Sequence, residues 1–113
     1  DGVIIISTPQ EIALQDVKRG IRMFDKLKVK ILGLIDNMSH FIGDDGKKYA
    51  IFGEGGVKKT AEEFKKDFMG EIPIDPEVGK QGDLGSPIVE SKPNHEISKI
   101  YFKFAEKIKS IYL

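Results

Sequence analysis

The sequence contains no cysteine, and its 18 basic residues are balanced by 18 acidic ones. Without cysteine the chain cannot form disulfides, and it has no thiolate ligands for zinc or for an iron–sulfur cluster. Zero net charge gives no global field toward nucleic acid or an anionic membrane. No apolar run approaches the roughly 20 residues that span a bilayer, and no signal peptide is recognisable. We therefore expect neither nucleic acid nor membrane as a partner, and a location in the cytoplasm or an organelle matrix.

The length of 113 residues predicts one domain, residues 1–113. The chain begins with Asp1-Gly2 directly before the apolar run Val3–Ile6, without an initiator methionine. We expect the chain to be a fragment of a longer protein.

A β-α-β pattern occupies the first third of the chain. The continuous apolar run from Val3 to Ser7 predicts a strand buried on both faces. Thr8, as N-cap of a capping box with Glu11, predicts the start of a helix that ends near Leu27. The apolar stripe of this helix comprises Ala13, Val17, Gly20, Ile21 and Phe24. A second strand over 29–35 makes a parallel pair.

The remainder of the chain alternates in the same way. The turn signal Asp44-Asp45-Gly46 predicts a β-hairpin insertion near 41–52, before a short helix that runs to Lys66 and a strand over Phe68–Ile72. Residues 75–85 read as a polar, glycine-punctuated loop with at most one helical turn, which would start at Pro76, and 86–90 as extended chain. Pro93-Asn94 opens a last helix, with Asn94 as its cap. Its apolar stripe, predicted to be core, comprises Ile97, Ile100, Tyr101, Phe104, Ile108, Ile111 and Tyr112. The predicted class is α/β, a mostly parallel sheet flanked by helices.

Two turns that follow strands carry groups able to read a flat heterocycle. The amide of Asn37 can both donate to and accept from a base edge, and Pro73, with Asp75 nearby, can form a rigid apolar wall. Ligands of open parallel sheets bind at the carboxyl ends of strands, where such turns meet. On the residues alone, an ordinary Asx turn and a plain post-strand turn are the favoured interpretations.

Other motifs carry less weight. The segment Gly53–Thr60 nearly matches a phosphate loop, but Lys58 replaces the glycine that lets the backbone wrap around phosphate, so a glycine turn before a surface helix is favoured. His40 and His95 stand apart without cysteine or paired carboxylates, which predicts no metal site.

Taken together, these segments resemble the carboxyl-terminal half of the Mrp/NBP35 family, which are ATP-binding iron–sulfur cluster carriers among the MinD/NifH-like deviant P-loop NTPases. The resemblance extends over nearly the whole chain. Its most specific parts are Ser7-Thr8-Pro9-Gln10-Glu11, Asp36-Asn37-Met38-Ser39-His40-Phe41, Phe52-Gly53-Glu54-Gly55-Gly56, Gly70-Glu71-Ile72-Pro73-Ile74-Asp75-Pro76 and Gly82-Asp83-Leu84-Gly85-Ser86-Pro87.

The resemblance implies an ATP- and Mg²⁺-dependent homodimer that passes clusters to apo iron–sulfur proteins. It also implies that Asn37, with Met38 beside it, reads adenine, and that the loop from Pro73 to Asp75 lines the base. The family's phosphate loop and switch residues would lie upstream of Asp1. Because these groups clamp the phosphoryl group, this chain alone should not hydrolyse ATP, and none of its residues is predicted to be catalytic.

One departure concerns the cluster. Where many family members have Cys-x-x-Cys after the position of Phe41, this chain has the sequence Gly43-Asp44-Asp45-Gly46, which argues against binding of a [4Fe-4S] cluster. Two other functions remain open: part of a MinD/ParA-like positioning ATPase, and a non-enzymatic truncated module for dimerisation or regulation.

Overall fold

The computed structural model describes residues 1–112, which form five strands and five helices in two compact units. The first unit, residues 1–74, contains β1 (Gly2–Ser7), α1 (Glu11–Lys26), β2 (Lys30–Asn37), β3 (Phe41–Ile42), β4 (Lys48–Tyr49), α2 (Gly56–Glu63) and β5 (Phe68–Ile72). The second unit begins at Asp75 and contains α3 (Pro76–Asp83), α4 (Ile88–Ser91) and α5 (Glu96–Tyr112). The organisation of residues 1–113 as one domain stays a prediction.

The first unit is built on a parallel sheet with the strand order β1-β2-β5, which confirms the predicted α/β class. β2 is the central strand, so its two ladders fix the register of the whole sheet. Ser7 on β1 is paired with Asp36 on β2, and Asp36 is paired with Glu71 on β5. All three strands therefore present their carboxyl ends at the same edge of the sheet.

The core of this unit lies between the sheet and the helices α1 and α2. Its buried cluster comprises Leu14, Val17, Ile21, Leu34, Val57 and Ala61. The predicted stripe of α1 is confirmed in part, since Val17 and Ile21 are buried while Ala13, Gly20 and Phe24 are half-buried.

Two predictions for the start of the chain are wrong. Thr8 does not cap α1; the N-cap position is Gln10, and the Thr8 hydroxyl donates instead to the side-chain Oε1 of Gln10 at 3.0 Å. β1 is also not buried on both faces. Successive side chains of a strand point to opposite faces, and while Ile5 packs on the core cluster, Ile6 is 56% exposed.

The predicted hairpin insertion is confirmed, with shorter strands than the 12-residue region suggested. Phe41 is paired with Tyr49 and Ile42 with Lys48 in an antiparallel ladder. Gly46, at φ +77°, lies in the connecting turn. The strand predicted over Phe68–Ile72 is also present with those limits.

In the second unit, the region predicted to be a loop over 75–85 is mostly helix. Asp75 is the N-cap of α3, and its carboxylate accepts a hydrogen bond from the backbone N–H of Glu77 at 2.9 Å. Gly79 and Gly82 lower the helix propensity and hide the pattern. The cap, together with proline at the first helical position, is nevertheless sufficient to start two turns of helix.

The residues predicted to be extended over 86–90 also include a helix, α4. The buried hydroxyl of Ser98 donates to the carbonyls of Ile88 and Lys92, at 3.0 and 2.7 Å. These two bonds join α4, a helix only four residues long, to α5, and they add a second partner to carbonyls that already accept from the N–H groups of Lys92 and His95. A tertiary contact of this kind has no local sequence signal.

α5 begins later than predicted, and its cap is a different residue. The Nδ1 atom of His95 accepts the hydrogen bond from the N–H of Ile97 at 3.1 Å, whereas Asn94 is exposed. The predicted core stripe is confirmed for Ile97 and Phe104, which are buried. It is wrong for Tyr101, Ile111 and Tyr112, which are exposed.

Candidate functional site

The carboxyl ends of β2 and β5 form one continuous edge that brings together three of the four predicted nucleotide-binding residues. Asn37 is the register partner of Ile72, so Asn37 and Met38 lie beside Pro73. The N–H of Ser39 donates to the carbonyl of Ile72 at 3.0 Å. A second backbone hydrogen bond, from Ile74 to the carbonyl of His40 at 2.6 Å, joins the same two loops. We call residues 37–40 and 72–74 together the strand-end edge.

Asn37 is held by its own backbone. Its side-chain Oδ1 accepts a hydrogen bond from the N–H of the next residue, Met38, at 3.1 Å, whereas the Asx turn that the sequence allowed would bond the residue two positions on. The structure shows no partner for its amide Nδ2 among residues 1–112. With one lone pair of Oδ1 engaged, Asn37 can still offer a ligand the two N–H donors of Nδ2 and the second lone pair of Oδ1.

Met38 adopts an unusual backbone conformation at the tip of this turn. Its φ is +55°, in the left-handed region that disfavours residues with a Cβ, and its side chain is partly exposed. Lys28 and Lys65 also have positive φ, but they follow the ends of α1 and α2, where this conformation is common. At Met38 there is no helix end, so the strain is a feature of the strand-end edge itself.

Asp75, the fourth predicted site residue, lies in the second unit, where its carboxylate has structural partners. One oxygen caps α3, and the other lies 3.5 Å from the Nε2 atom of His95. Since Nδ1 of His95 accepts from the helix, Nε2 carries the hydrogen that faces Asp75. The contact of Asp75 with a base stays a prediction.

An ion pair between Glu77 and Lys92 lies in the same unit. The Glu77 carboxylate accepts hydrogen bonds from Lys92 at 2.7 Å and from Gln81 at 2.9 Å. These two bonds lower the pKa of Glu77 to about 2. Glu77 is therefore ionised throughout the physiological range, and it holds α3 against the segment after α4.

Four charged or titratable residues, His40 of the strand-end edge and three residues next to this edge, were not predicted as a group. Asp36 is only 3% exposed, and its Oδ1 has no hydrogen-bond partner within residues 1–112. Glu71 lies on the neighbouring strand, where its Oε1 is 3.5 Å from both Lys48 Nζ and His40 Nδ1. We call Asp36, Glu71, Lys48 and His40 the buried-acid cluster.

The pKa values in this cluster shift because of burial and neighbouring charge. Desolvation, followed by the negative charge of Glu71, raises the pKa of Asp36 from 3.8 to about 6, against an opposing effect of Lys48. Burial, followed by the charge of Lys48, lowers the pKa of His40, which is therefore neutral near pH 7. The sequence signal for this cluster was weak: an acidic residue within an apolar strand, with no indication of which residues face it.

The hairpin that replaces the family's Cys-x-x-Cys segment is closed by hydrogen bonds. The two carboxylate oxygens of Asp45 accept from the N–H of Lys47 at 2.9 Å and from the hydroxyl of Tyr49 at 2.6 Å. These bonds lower the pKa of Asp45 and raise that of Tyr49. The residues here do not fit a cluster, because the donors are hard oxygens already in use. Across residues 1–112, no three His, Asp or Glu side chains are grouped to hold a metal ion.

The near match to a phosphate loop is a turn that leads into α2, as the favoured interpretation predicted. Gly53 has φ +120°, and a Cβ there would lie 3.0 Å from the carbonyl oxygen of Pro9. The hydroxyl of Thr60 is buried and donates to the carbonyl of Gly56 at 2.8 Å. It is therefore committed to the helix and not directed at a metal-bound phosphate.

In the part of the chain described here, no helix combines the length and apolar character needed to cross a membrane.

A parallel sheet with helices packed on it is a fold that this chain shares with solved MinD proteins. The structure is similar to the MinD cell division protein of Aquifex aeolicus, with a TM-score of 0.72 over 97% of this chain and 44% of that one. At 18% identity, this likeness shows the fold alone.

The family model described as "ParA: NUBPL iron-transfer P-loop NTPase" matches residues 1–109, so the chain belongs to this family. It is 40% identical to an iron-sulfur cluster carrier protein of Aquifex aeolicus, over 97% of this chain and 30% of that protein. The solved nucleotide-binding protein of Archaeoglobus fulgidus, in complex with ADP, is 38% identical. Its TM-score is 0.64, over 74% of this chain and 35% of that one. The chain thus spans about a third of the length of such relatives.

Proposed function

We propose that this chain supplies the base-binding part of a nucleotide-dependent iron–sulfur cluster carrier. The observation that carries the proposal is the convergence of Asn37, Met38 and Pro73 at one edge of the sheet, joined by backbone hydrogen bonds. A relative of 38% identity was solved with ADP, and a relative of 40% identity is named as a cluster carrier. Both support the same assignment.

In this proposal the Asn37 amide donates to an acceptor on the adenine edge. Pro73 provides a rigid apolar surface for the ring, and Met38 offers a flexible apolar side chain beside it. A role for Asp75 at the base stays the prediction that follows from the sequence resemblance. Mg²⁺ and the parts that clamp the phosphates neutralise charge during phosphoryl transfer and are assigned to other segments of the whole protein.

The cluster itself is the cargo of the whole protein. Asp45 and the other residues of the hairpin have no thiolate to bind it, so we assign this chain no ligand to the cluster. The proposal extends to a homodimer in the cytoplasm or an organelle matrix, with apo iron–sulfur proteins as recipients. The MinD-like fold does not by itself favour a positioning ATPase, because that likeness carries only 18% identity.

The test is the ADP and ATP affinity of the full-length protein carrying Asn37→Ala. Loss of one hydrogen bond to the base should weaken binding by about 1–3 kcal/mol, or roughly five- to 150-fold. The matched control is Asn94→Ala, which removes an exposed asparagine from the other unit and should leave the affinity unchanged. Equal affinities of wild type and Asn37→Ala would refute the assignment.

A further inference from the structure

The proposed function leaves one buried titratable group unused. Asp36 directly precedes Asn37, is nearly inaccessible to solvent, and has a carboxylate oxygen without a hydrogen-bond donor within residues 1–112. A buried acceptor without a donor is costly, and an ionised one costs more. Uptake of a proton neutralises such a group and so lowers the free-energy cost of burying it.

The surroundings of Asp36 contain one charge of each sign. On β5, Glu71 is the register partner of Asp36 and adds negative charge, while Lys48 on β4 compensates in part. On β1 the register partner is Ser7, which does not titrate and donates its hydroxyl to Thr8. His40 contacts Glu71 and is neutral near pH 7. With Asp36 ionised, the cluster therefore holds two negative charges against one positive charge.

The geometry links this cluster to the base-binding turn. Asp36 and Asn37 are consecutive residues of β2. Glu71 directly precedes Ile72, whose carbonyl accepts a hydrogen bond from the N–H of Ser39. The adenine base of a nucleotide on the strand-end edge would cover this end of the sheet and exclude water from it. Removal of water disfavours the ionised form of a neighbouring carboxyl group and therefore favours protonated Asp36.

We propose that Asp36 is a proton-linked positioning residue for nucleotide binding, such that an adenine nucleotide binds more tightly to the form of the protein in which Asp36 carries a proton. This inference rests on the proposed function, because it assumes that the nucleotide occupies the strand-end edge. By linkage, binding must then be accompanied by proton uptake, and the affinity must rise as the pH falls through the titration of Asp36.

The experiment measures ADP binding to the full-length protein by titration calorimetry in two buffers of different ionisation enthalpy. If bound ADP moves the pKa of Asp36 from about 6 to about 7, about half a proton is taken up near pH 6.5. The affinity then changes up to about tenfold between high and low pH. Because the phosphates of ADP also titrate here, the informative quantity is the difference between wild type and Asp36→Asn, which should lose this uptake.

A second measurement does not depend on the folding of that variant. The carboxyl ¹³C resonance of Asp36 in the wild-type protein, followed against pH with and without ADP, should titrate at higher pH when ADP is bound. Glu71→Gln removes the like charge and should move the titration to lower pH in the free protein, while ADP still raises it. These results together would support the inference.

These experiments distinguish failure of the inference about Asp36 from failure of the proposed function. If ADP binds but wild type and Asp36→Asn take up the same number of protons, or the Asp36 resonance does not respond to ADP, the inference is wrong and the proposed function stands. If the wild-type full-length protein does not bind ADP at all, the proposed function is wrong and the inference is refuted with it.

Discussion

Replacement of Asp36 by asparagine is expected to stabilise this chain near neutral pH, although it changes a buried strand residue. Burial and the charge of Glu71 raise the pKa of Asp36 from 3.8 to about 6, so ionisation costs up to about 3 kcal/mol more in the folded chain than in the unfolded one. The side chains of Lys48 and Glu71 are about half exposed, and water screens their part of the effect. We therefore expect a gain in the free energy of unfolding of about 1–3 kcal/mol.

The pH dependence has a definite sign. Because the pKa of Asp36 is higher in the folded chain, the folded chain binds more protons than the unfolded chain between pH 3.8 and about 6. Protonated Asp36 contributes favourably to the free energy of unfolding. This contribution is fully present below pH 3.8, the pKa of Asp36 in the unfolded chain, and is lost as the pH rises through about 6. The gain in the free energy of unfolding from Asp36→Asn, relative to wild type, should therefore be small at acidic pH and largest above about pH 6.

The assay is urea unfolding of wild type and Asp36→Asn, followed by circular dichroism over a series of pH values. Asp45→Asn is the control for loss of an acidic residue. The pKa of Asp45 is lowered by its hydrogen bonds, so this substitution should not stabilise the chain at neutral pH. If Asp36→Asn is less stable than wild type near pH 7, or differs from it by an amount independent of pH, the reasoning about desolvation is wrong.

Two further predictions concern the backbone and the sheet edge. Gly53→Ala should destabilise the chain by about 1–3 kcal/mol in urea unfolding, because the left-handed backbone and the Pro9 carbonyl oppose a Cβ. Gly79→Ala, in α3 with open space around it, should instead be neutral or stabilise the chain by up to about 1 kcal/mol. If the two substitutions change the free energy of unfolding equally, the first prediction is wrong. The isolated chain should self-associate through β1, which is paired on one side only, and Ile6→Lys should reduce the association in light scattering. A monomeric wild-type chain would disprove the second prediction.

The regular elements of the first unit follow from patterns within the sequence. The apolar run of β1, the helical stripe that includes Val17 and Ile21, and the strand that ends at Asn37 are each produced by local periodicity, and the structure contains all three elements. The meeting of Asn37 and Pro73 was also predictable. Parallel strands present their carboxyl ends at one edge, so two turns after two neighbouring strands must lie close together.

Local patterns were less informative where a few tertiary contacts decide the outcome. α3 contains two glycines, and α4 has only four residues, so neither has a strong propensity for helix. Their conformation depends on the Asp75 cap and on the Ser98 hydroxyl, which bonds the carbonyls of Ile88 and Lys92. The start of α1 shows the converse, since a capping sequence at Thr8 was present and the cap hydrogen bond did not form.

The sequence by itself determined the α/β class, the principal strands along the chain and the position of the turn at Asn37 that we propose binds a base, because hydrophobic periodicity and strand-end residues are local properties. Only the tertiary structure decided that Asp36 is buried beside Glu71 and Lys48, since this depends on the register between β2 and β5 and on the position of a separate hairpin. The physical reason is that a pKa depends on surroundings in space. Glu71 and Lys48 lie 35 and 12 positions from Asp36 in the sequence, and they become its neighbours only when the sheet and the hairpin have formed.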